Sequence, residues 1–204
     1  MSTKTIYIVR HGQTDFNKLG IVQGSGINSS LNKTGWQQAW AFYEKYKDEN
    51  FDAVLTSGLL RTHETMTPFI KDGLPWEQFE EINEICWGKH EGKKSTPAMK
   101  EEFLNLLDAW GKGDYQASIG GGESAQDMWD RLRVFVDRLK QRPEERLLVC
   151  SHGRAMRCLM TVLQNDPIRK MQDYHHANTG LYLVDYTPDV FKFQLQNDLS
   201  HLEG

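Results

Sequence analysis

Long apolar runs are missing from this chain of 204 residues. No apolar stretch of about 18 residues occurs, which argues against a membrane-spanning helix. The N-terminus lacks a cationic start followed by a long apolar centre, so no signal peptide is expected. Cysteine is scarce, and the three thiols, Cys86, Cys150 and Cys158, form no C-x-x-C pair. They predict reduced, partly buried side chains in a cytoplasmic protein.

A strong excess of either charge is also missing. The chain carries 24 Lys and Arg against 28 Asp and Glu, a formal net charge of −4. This weakly acidic balance argues against nonspecific nucleic-acid binding as the main role. The 25% charged and 11% aromatic fractions are typical of a folded globular protein. The length, with no repeat or linker, predicts a single domain over residues 1–204.

Sequence signatures of metal and nucleotide sites are incomplete. His63-Glu64 lacks the second histidine of an H-E-x-x-H helix, and the cysteines lack zinc spacing. The glycines at 120–122 are not followed by the Gly-Lys-Ser/Thr of a phosphate-binding loop. The sequence therefore predicts no metal and no cofactor.

Strand and helix patterns alternate along most of the chain, which predicts a three-layer α/β/α sandwich with a mostly parallel central sheet. Predicted helices begin at caps Asn32 and Ser57 and have apolar stripes. In the first of them the stripe consists of Trp36, Ala39, Trp40, Tyr43 and Tyr46. The segment at about 86–122 is the least sheet-like and is predicted to cover a site. Predicted strands occupy 5–9, 52–56, 79–82, 146–150, 181–186 and 190–195, and predicted helices end near 50, 70, 110, 141 and 163.

Two distant strands each lead into a His-Gly pair. The strand at 5–9 leads into Arg10-His11-Gly12, and the strand at 146–150 leads into Ser151-His152-Gly153. Open α/β folds bind ligands at the carboxyl ends of parallel strands. If these strands are neighbours, the two imidazoles face one another across a crevice. Either histidine alone could equally be a polar strand cap.

Further polar residues fit a phosphate site. Arg61 lies in the first turn of the helix after the second strand, where N–H groups and the helix dipole favour anions. Its guanidinium matches phosphate oxygens in shape and charge. Asn17, Gln23 and Gly24 lie in the loop after His11 and could donate to phosphate oxygens. Ordinary turn chemistry remains the alternative for Gln23 and Gly24.

These segments resemble the histidine phosphatases, also called the phosphoglycerate mutase-like superfamily. The matching motifs occur in family order over about three quarters of the chain. The chain departs from the family at Asn28 and Ser30, where Asp and Pro are common, and at Gly120 and Gly121, where Pro usually precedes Gly-Glu-Ser. The motifs are IVRHGQTDFN at 8–17, LNKTG at 31–35, SGLLRT at 57–62, INEICWGKHEG at 82–92, GGES at 121–124 and SHG at 151–153.

The resemblance implies a role for each matching residue. His11 would be the nucleophile that becomes phosphohistidine, and Glu84 the general acid and then the base for water. A neutral His11 is required for attack, and the nearby cations, including a protonated His152, are expected to keep it neutral. The residues implied to bind the phosphoryl group are Arg10, Asn17, Arg61, His152 and the Gly153 N–H, with Gln23 and Gly24 as the loop candidates named above.

Three functions remain open at this stage. The first is a metal-independent phosphatase acting on a small phosphorylated metabolite, and the second is a phosphoglycerate mutase using the same intermediate. The third is a non-catalytic protein that binds a phosphate ligand. Mutases of the family carry an arginine pair between the acid and the second histidine, whereas here only isolated arginines lie between Glu84 and His152. The edge of the predicted terminal hairpin offers a surface for a homodimer.

Overall fold

A six-stranded sheet forms the centre of the computed structural model, which describes residues 3–188 and 190–203. The strands are β1 (Lys4–Arg10), β2 (Ala53–Thr56), β3 (Trp76–Gln78), β4 (Arg146–Ser151), β5 (Leu181–Thr187) and β6 (Val190–Asp198). Their order in the sheet is β3-β2-β4-β1-β5-β6. The first four strands of that order run parallel, whereas β5 lies antiparallel to β1 and to β6. The prediction of a mostly parallel sheet is confirmed.

Helices cover both faces of the sheet, as predicted. Successive residues of a strand point to opposite faces, so Ile6 and Ile8 pack in one core with α5 and α6, while Tyr7 and Val9 pack in the other with α2 and α3. The α helices are α1 (Asp15–Leu19), α2 (Lys33–Tyr46), α3 (Leu60–Lys71), α4 (Pro97–Gly111), α5 (Ala125–Gln141) and α6 (Gly153–Gln164). Short 3₁₀ helices lie at Glu80–Ile82, Gly88–His90, Ile168–Asp173 and Ser200–Leu202.

The buried face of α2 agrees with most of the predicted stripe. Ala39 and Tyr46 of that stripe are buried, together with Gly35 and Phe42, whereas Trp40 is 47% exposed. Gly35 lies directly against the loop after β1, where a side chain would meet a backbone oxygen at only 2.1 Å. The prediction is therefore wrong for Trp40.

Three element boundaries also differ from prediction. The third strand lies at Trp76–Gln78 rather than 79–82, because the chain turns into a 3₁₀ helix at Glu80. Helix α2 ends at Tyr46 rather than near 50, where Asn50 has a positive φ of 49°. The N-cap of α3 is Leu59, so the prediction for Ser57 is wrong; its hydroxyl is used in the site described below.

The remaining boundaries follow the predicted ones closely. The Asn32 side chain caps α2 by accepting a bond from the Gly35 N–H, and Ser124 begins α5 with a reciprocal capping box. The turn of the terminal hairpin includes Asp189, which lies outside the described residues. In the ranges that the structure describes, no helix has the length and apolar character needed to cross a membrane.

Candidate active site

The two His-Gly segments meet at one edge of the sheet. Strands β1 and β4 are parallel neighbours, with Arg10 opposite Ser151. The backbone N–H of His11 donates to the Ser151 carbonyl at 3.0 Å, which extends the pairing one residue beyond β1. The ring centroids of His11 and His152 are 5.1 Å apart. The predicted meeting of the two imidazoles is confirmed.

His11 is arranged as a neutral base with one free nitrogen. Its side chain is buried, and Nδ1 lies 2.7 Å from the Gly12 carbonyl oxygen. A carbonyl only accepts hydrogen bonds, so Nδ1 carries the proton and Nε2 keeps its lone pair. Burial, followed by the charges of Arg61 and Arg10, holds the pKa of His11 well below its usual value. The imidazole is therefore neutral at physiological pH.

His152 is neutral as well, contrary to the expectation of a protonated ring. Arg61 Nε donates to His152 Nδ1 at 3.1 Å, and His152 Nε2 lies 2.7 Å from Ser57 Oγ. A guanidinium has no acceptor, so Nδ1 must be unprotonated and Nε2–H donates to the serine hydroxyl. Burial, with the charge of Arg61, holds the pKa of His152 well below its usual value. Both imidazoles are thus uncharged. Because both ring nitrogens of His152 are already bonded, donation by this residue to a phosphoryl group stays a prediction.

Two arginines supply the positive charge of the site. Arg61 is completely buried, and it donates through Nη1 to Ile27 O at 2.6 Å and through Nη2 to Gly24 O at 3.3 Å. One hydrogen on each of these nitrogens remains free for a ligand. The buried Nε of Arg10 has no partner among the described residues. Burial lowers the pKa of each arginine to about 10, so both stay charged at neutral pH.

Glu84 lies at the N-terminus of α6, beside the second histidine motif. Its carboxylate is buried and accepts from the backbone N–H groups of Ala155 at 3.0 Å and Arg154 at 3.1 Å. A third N–H, from Ile85, donates at 3.0 Å. These donors begin two residues after His152, so the carboxylate is held next to the histidine pair. The N-terminus of α6 is the kind of position that favours an anion.

The other predicted residues, Asn17, Gln23 and Gly24, lie in the same region, and some of their polar groups form hydrogen bonds within the protein. Asn17 Oδ1 accepts from the Thr14 N–H and from Asn178, which leaves its amide N–H groups free. Gln23 bonds to the side chains of Thr14 and Ser29, and thereby holds the loop. Gly24 contacts Arg61 through its carbonyl oxygen, which accepts a hydrogen bond from Arg61 Nη2. Donation by Gln23 or Gly24 to a phosphate stays a prediction.

A histidine ring lies directly over Gly153. A Cβ at Gly153 would lie 2.6 Å from Cε1 of His176, so a larger residue there would require this ring to move. His176 therefore packs directly over the turn that follows His152. Its neighbour His175 is exposed. Within residues 3–188 and 190–203, no group of three or more His, Cys, Asp or Glu is placed to hold a metal ion.

Several residues of the site were not found from the sequence. Thr65 Oγ1 accepts from the Gly12 N–H at 2.9 Å and donates to the Arg61 carbonyl at 2.6 Å, so it joins the loop after β1 to the first turn of α3. Its place one helical turn after Arg61 was a usable signal. Asn178 Nδ2 donates to the His11 carbonyl at 2.9 Å. No local pattern indicates that contact, because it depends on β5 pairing with β1.

Comparison with known proteins identifies the family. The model of the histidine phosphatase superfamily (branch 1) matches residues 6–199. The chain belongs to this superfamily. A zebrafish (Danio rerio) protein named fructose-2,6-bisphosphatase TIGAR B is 32% identical over 161 residues, which are 76% of this chain and 59% of the relative. A Shigella boydii protein named probable phosphoglycerate mutase GpmB is 27% identical, over 98% of this chain and 95% of its own length.

Solved structures of the superfamily share the fold. The alpha-ribazole phosphatase from Shigella flexneri has a TM-score of 0.83 and 25% sequence identity, over 95% of this chain and 96% of that one. The predicted phosphoglycerate mutase-like α/β fold is confirmed. This histidine phosphatase therefore has its histidine pair, its arginines and Glu84 on a framework shared with enzymes of the family.

We expect this histidine phosphatase to lose stability as the pH falls below about 6.5, the pKa of histidine in an unfolded chain. His11 and His152 have lowered pKa values in the folded chain, so below that pH the unfolded state binds more protons. The free energy of unfolding should fall by up to about 1.4 kcal/mol per pH unit for each of them. Urea denaturation between pH 7.5 and 5.5 measures this. His11→Asn should reduce the slope; equal stability of the wild-type protein at both pH values would contradict the expectation.

Proposed function

We propose that the protein is a metal-independent phosphatase that hydrolyses small phosphomonoesters through a phosphohistidine on His11. One observation carries the proposal: the Nδ1–H of His11 is fixed by a carbonyl, which leaves Nε2 unprotonated beside two buried guanidinium groups. Such a nitrogen can attack a phosphorus atom, and the guanidinium groups can hold the phosphoryl oxygens.

In the first step, His11 Nε2 attacks the phosphorus of the bound ester. Glu84 must enter this step carrying a proton, which it takes from solvent as the phosphate dianion binds beside it. The P–N bond forms as the ester P–O bond breaks, and Glu84 gives that proton to the leaving alcohol oxygen. Negative charge is spread over three phosphoryl oxygens, so fixed positive groups supply most of the stabilisation. Arg10 and Arg61 provide that charge, and the Asn17 amide and the Gly153 N–H complete the set of donors.

In the second step, water hydrolyses the phosphohistidine. The Glu84 carboxylate takes a proton from the water as its oxygen attacks phosphorus. The P–N bond breaks, inorganic phosphate leaves, and Nε2 regains its lone pair. His152 holds the Arg61 side chain through its Nδ1 while Ser57 fixes the ring. Since the arginines neutralise the phosphoryl charge, the scheme needs no metal ion.

The segment at 86–122 contains features suited to substrate choice. A cavity of about 260 Å³ lies between this segment and the loop after His11. Its lining includes Gln23 from the loop, and Trp87, Met99 and Phe103 from the segment. We propose that the leaving alcohol of a small phosphorylated metabolite enters from this side. We also propose that residues 1–204 form a single domain and that the enzyme acts in the cytoplasm. Nucleic acids and membranes are not proposed as partners.

The mutase alternative has support from the relative named GpmB. The arginines between Glu84 and His152 support hydrolysis instead. Arg131 is bound by both carboxylate oxygens of Glu123, at 2.6 and 2.9 Å, and Arg142 is paired with Glu77 and Glu144. Neither is free to hold a second substrate group. The non-catalytic alternative is not favoured by the structure, because His11, Arg61, Glu84 and His152 are gathered in one place.

The test is phosphate release from a panel of phosphomonoesters in EDTA, with 3-phosphoglycerate scored for both hydrolysis and isomerisation. We expect hydrolysis that EDTA does not reduce. Isomerisation without net phosphate release would assign the mutase function. Loss of activity in EDTA that a divalent ion restores would contradict the metal-independent mechanism, and silence toward every compound would favour the binding function.

A further inference from the structure

A cationic side chain without an acidic partner lies next to the phosphate site. The guanidinium of Arg154 lies against two aromatic rings, 5.5 Å from the centroid of Phe103 and 5.9 Å from that of Trp87. Its Nη1 is buried and has no hydrogen-bond partner among the described residues. The backbone N–H of the same residue donates to Glu84. Arg154 is therefore anchored at its backbone, while a buried donor of its side chain is unused.

Two further side chains, Arg157 and His176, lie beside Arg154 and form a patch with it. Arg157, one turn along α6, donates through Nη1 to the Gln172 carbonyl at 2.9 Å, while its buried Nε has no partner in the described part of the chain. Nδ1 of His176, whose ring packs over Gly153, is also buried and has no hydrogen-bond partner among the described residues. Burial and the charge of Arg157 lower the pKa of Arg154 to about 10, and burial and nearby arginines lower that of His176 to about 3.

The buried positive charges and unused N–H groups beside Glu84 would be stabilised by an anion. A buried charge without a partner is costly, and an unpaired buried N–H costs free energy of its own. Glu84 is the carboxylate close enough to act on Arg154, and it acts on Arg10 and Arg61 as well. A bound phosphoryl group would engage Arg10 and Arg61. The unused donors of Arg154 and Arg157 would still lack an acceptor, and the unpartnered Nδ1 of His176 lies beside them.

We propose that Arg154, with Arg157 and His176 beside it, binds a second anionic group of the substrate. The preferred substrates are then phosphomonoesters that carry a carboxylate or a second phosphoryl group close to the ester. The proposal rests on the proposed phosphatase function and adds a substrate class to it. The rings of Trp87 and Phe103 lie against the guanidinium group, and its Nη1 keeps an unused donor that an oxygen of such an anion can accept.

Matched substrate pairs test this preference. The carboxylate pairs are 3-phosphoglycerate against glycerol 3-phosphate and O-phosphoserine against O-phosphoethanolamine. The second-phosphoryl pair is fructose 1,6-bisphosphate against fructose 6-phosphate. We expect kcat/KM to favour the more anionic member of at least one kind of pair by about 30-fold or more, the effect of one or two charged hydrogen bonds. The kind of pair that shows the preference identifies the second group.

Variants of Arg154 connect the preference to this residue. Arg154→Met keeps the backbone N–H on Glu84 and should reduce the preference to less than about threefold, mainly through KM for the more anionic substrate. Arg154→Lys should restore part of it, because a charge returns without the planar fork. Arg133→Met, an exposed position on α5, is the matched control and should retain the wild-type preference.

Two results would overturn the proposal: a wild-type enzyme that does not distinguish the members of any pair, and an Arg154→Met variant that slows both members of each pair equally. If the protein hydrolyses none of these compounds, the proposed phosphatase function fails, which is a separate result. Calorimetric titration with 3-phosphoglycerate and glycerol 3-phosphate then decides the second site. Tighter binding of 3-phosphoglycerate that Arg154→Met removes would support it, and equal binding would refute it.

Discussion

Replacing His11 with Ala should reduce phosphomonoester turnover by about 10⁴-fold or more, because the substitution removes the atom that forms the covalent intermediate. The other imidazole of the pair cannot replace it. The Nδ1 of His152 is held by Arg61 and its Nε2 donates to Ser57. Initial rates at saturating substrate measure the loss.

The same variant should still bind inorganic phosphate, because Arg10 and Arg61 are unchanged. This separates loss of chemistry from loss of folding. The exposed His175 provides the matched control, and His175→Ala should turn over at the wild-type rate. A His11→Ala enzyme with substantial residual activity would exclude covalent catalysis by this residue.

Glu84→Gln should lower kcat by about 10²- to 10⁴-fold, the range expected when a general acid and base is lost. Phosphate affinity should change by less than about threefold, because Arg10 and Arg61, rather than Glu84, are proposed to hold the phosphoryl group. Rapid-quench kinetics would show both steps slowed, because the residue serves the leaving alcohol first and the water afterwards. The exposed neighbour Glu80, changed to Gln, is the control.

The structure adds a second effect for Glu84→Gln. Oε1 accepts two N–H bonds and Oε2 accepts one from Arg154, so an amide NH₂ would face at least one backbone donor. The variant should therefore unfold at a lower temperature, with a loss of about 1–3 kcal/mol for the unmatched donor. A Glu84→Gln enzyme with an unchanged rate would remove this residue from the mechanism.

The histidine pair could be predicted from sequence because its placement follows from short-range rules. Each histidine ends a strongly apolar strand, and buried parallel strands tend to be neighbours in one sheet. Arg61 was predictable for the same reason, as it lies in the first turn of the helix that follows a strand. Glu84 lies after a 3₁₀ helix with no periodic pattern, so only the family resemblance indicated it.

Features that depend on packing between distant segments could not be predicted in this way. Strand β3 is exposed along its whole length and lies at a sheet edge, so no alternation of buried residues marks it. The neutral state of His152 depends on which nitrogen meets Arg61, which only the three-dimensional arrangement fixes. His176 appeared in the sequence as half of an unremarkable His-His pair, yet it packs over Gly153.

The central claim is that the phosphoryl group passes through His11. Its most direct test is to mix the enzyme with a turned-over phosphomonoester, stop the reaction within milliseconds in base, and locate the bound phosphoryl group by mass spectrometry. Phosphohistidine is expected at His11, labile to acid, absent from His11→Ala, and longer-lived in Glu84→Gln. Continued turnover without any phosphoenzyme, or a phosphoryl group on another residue, would contradict the mechanism.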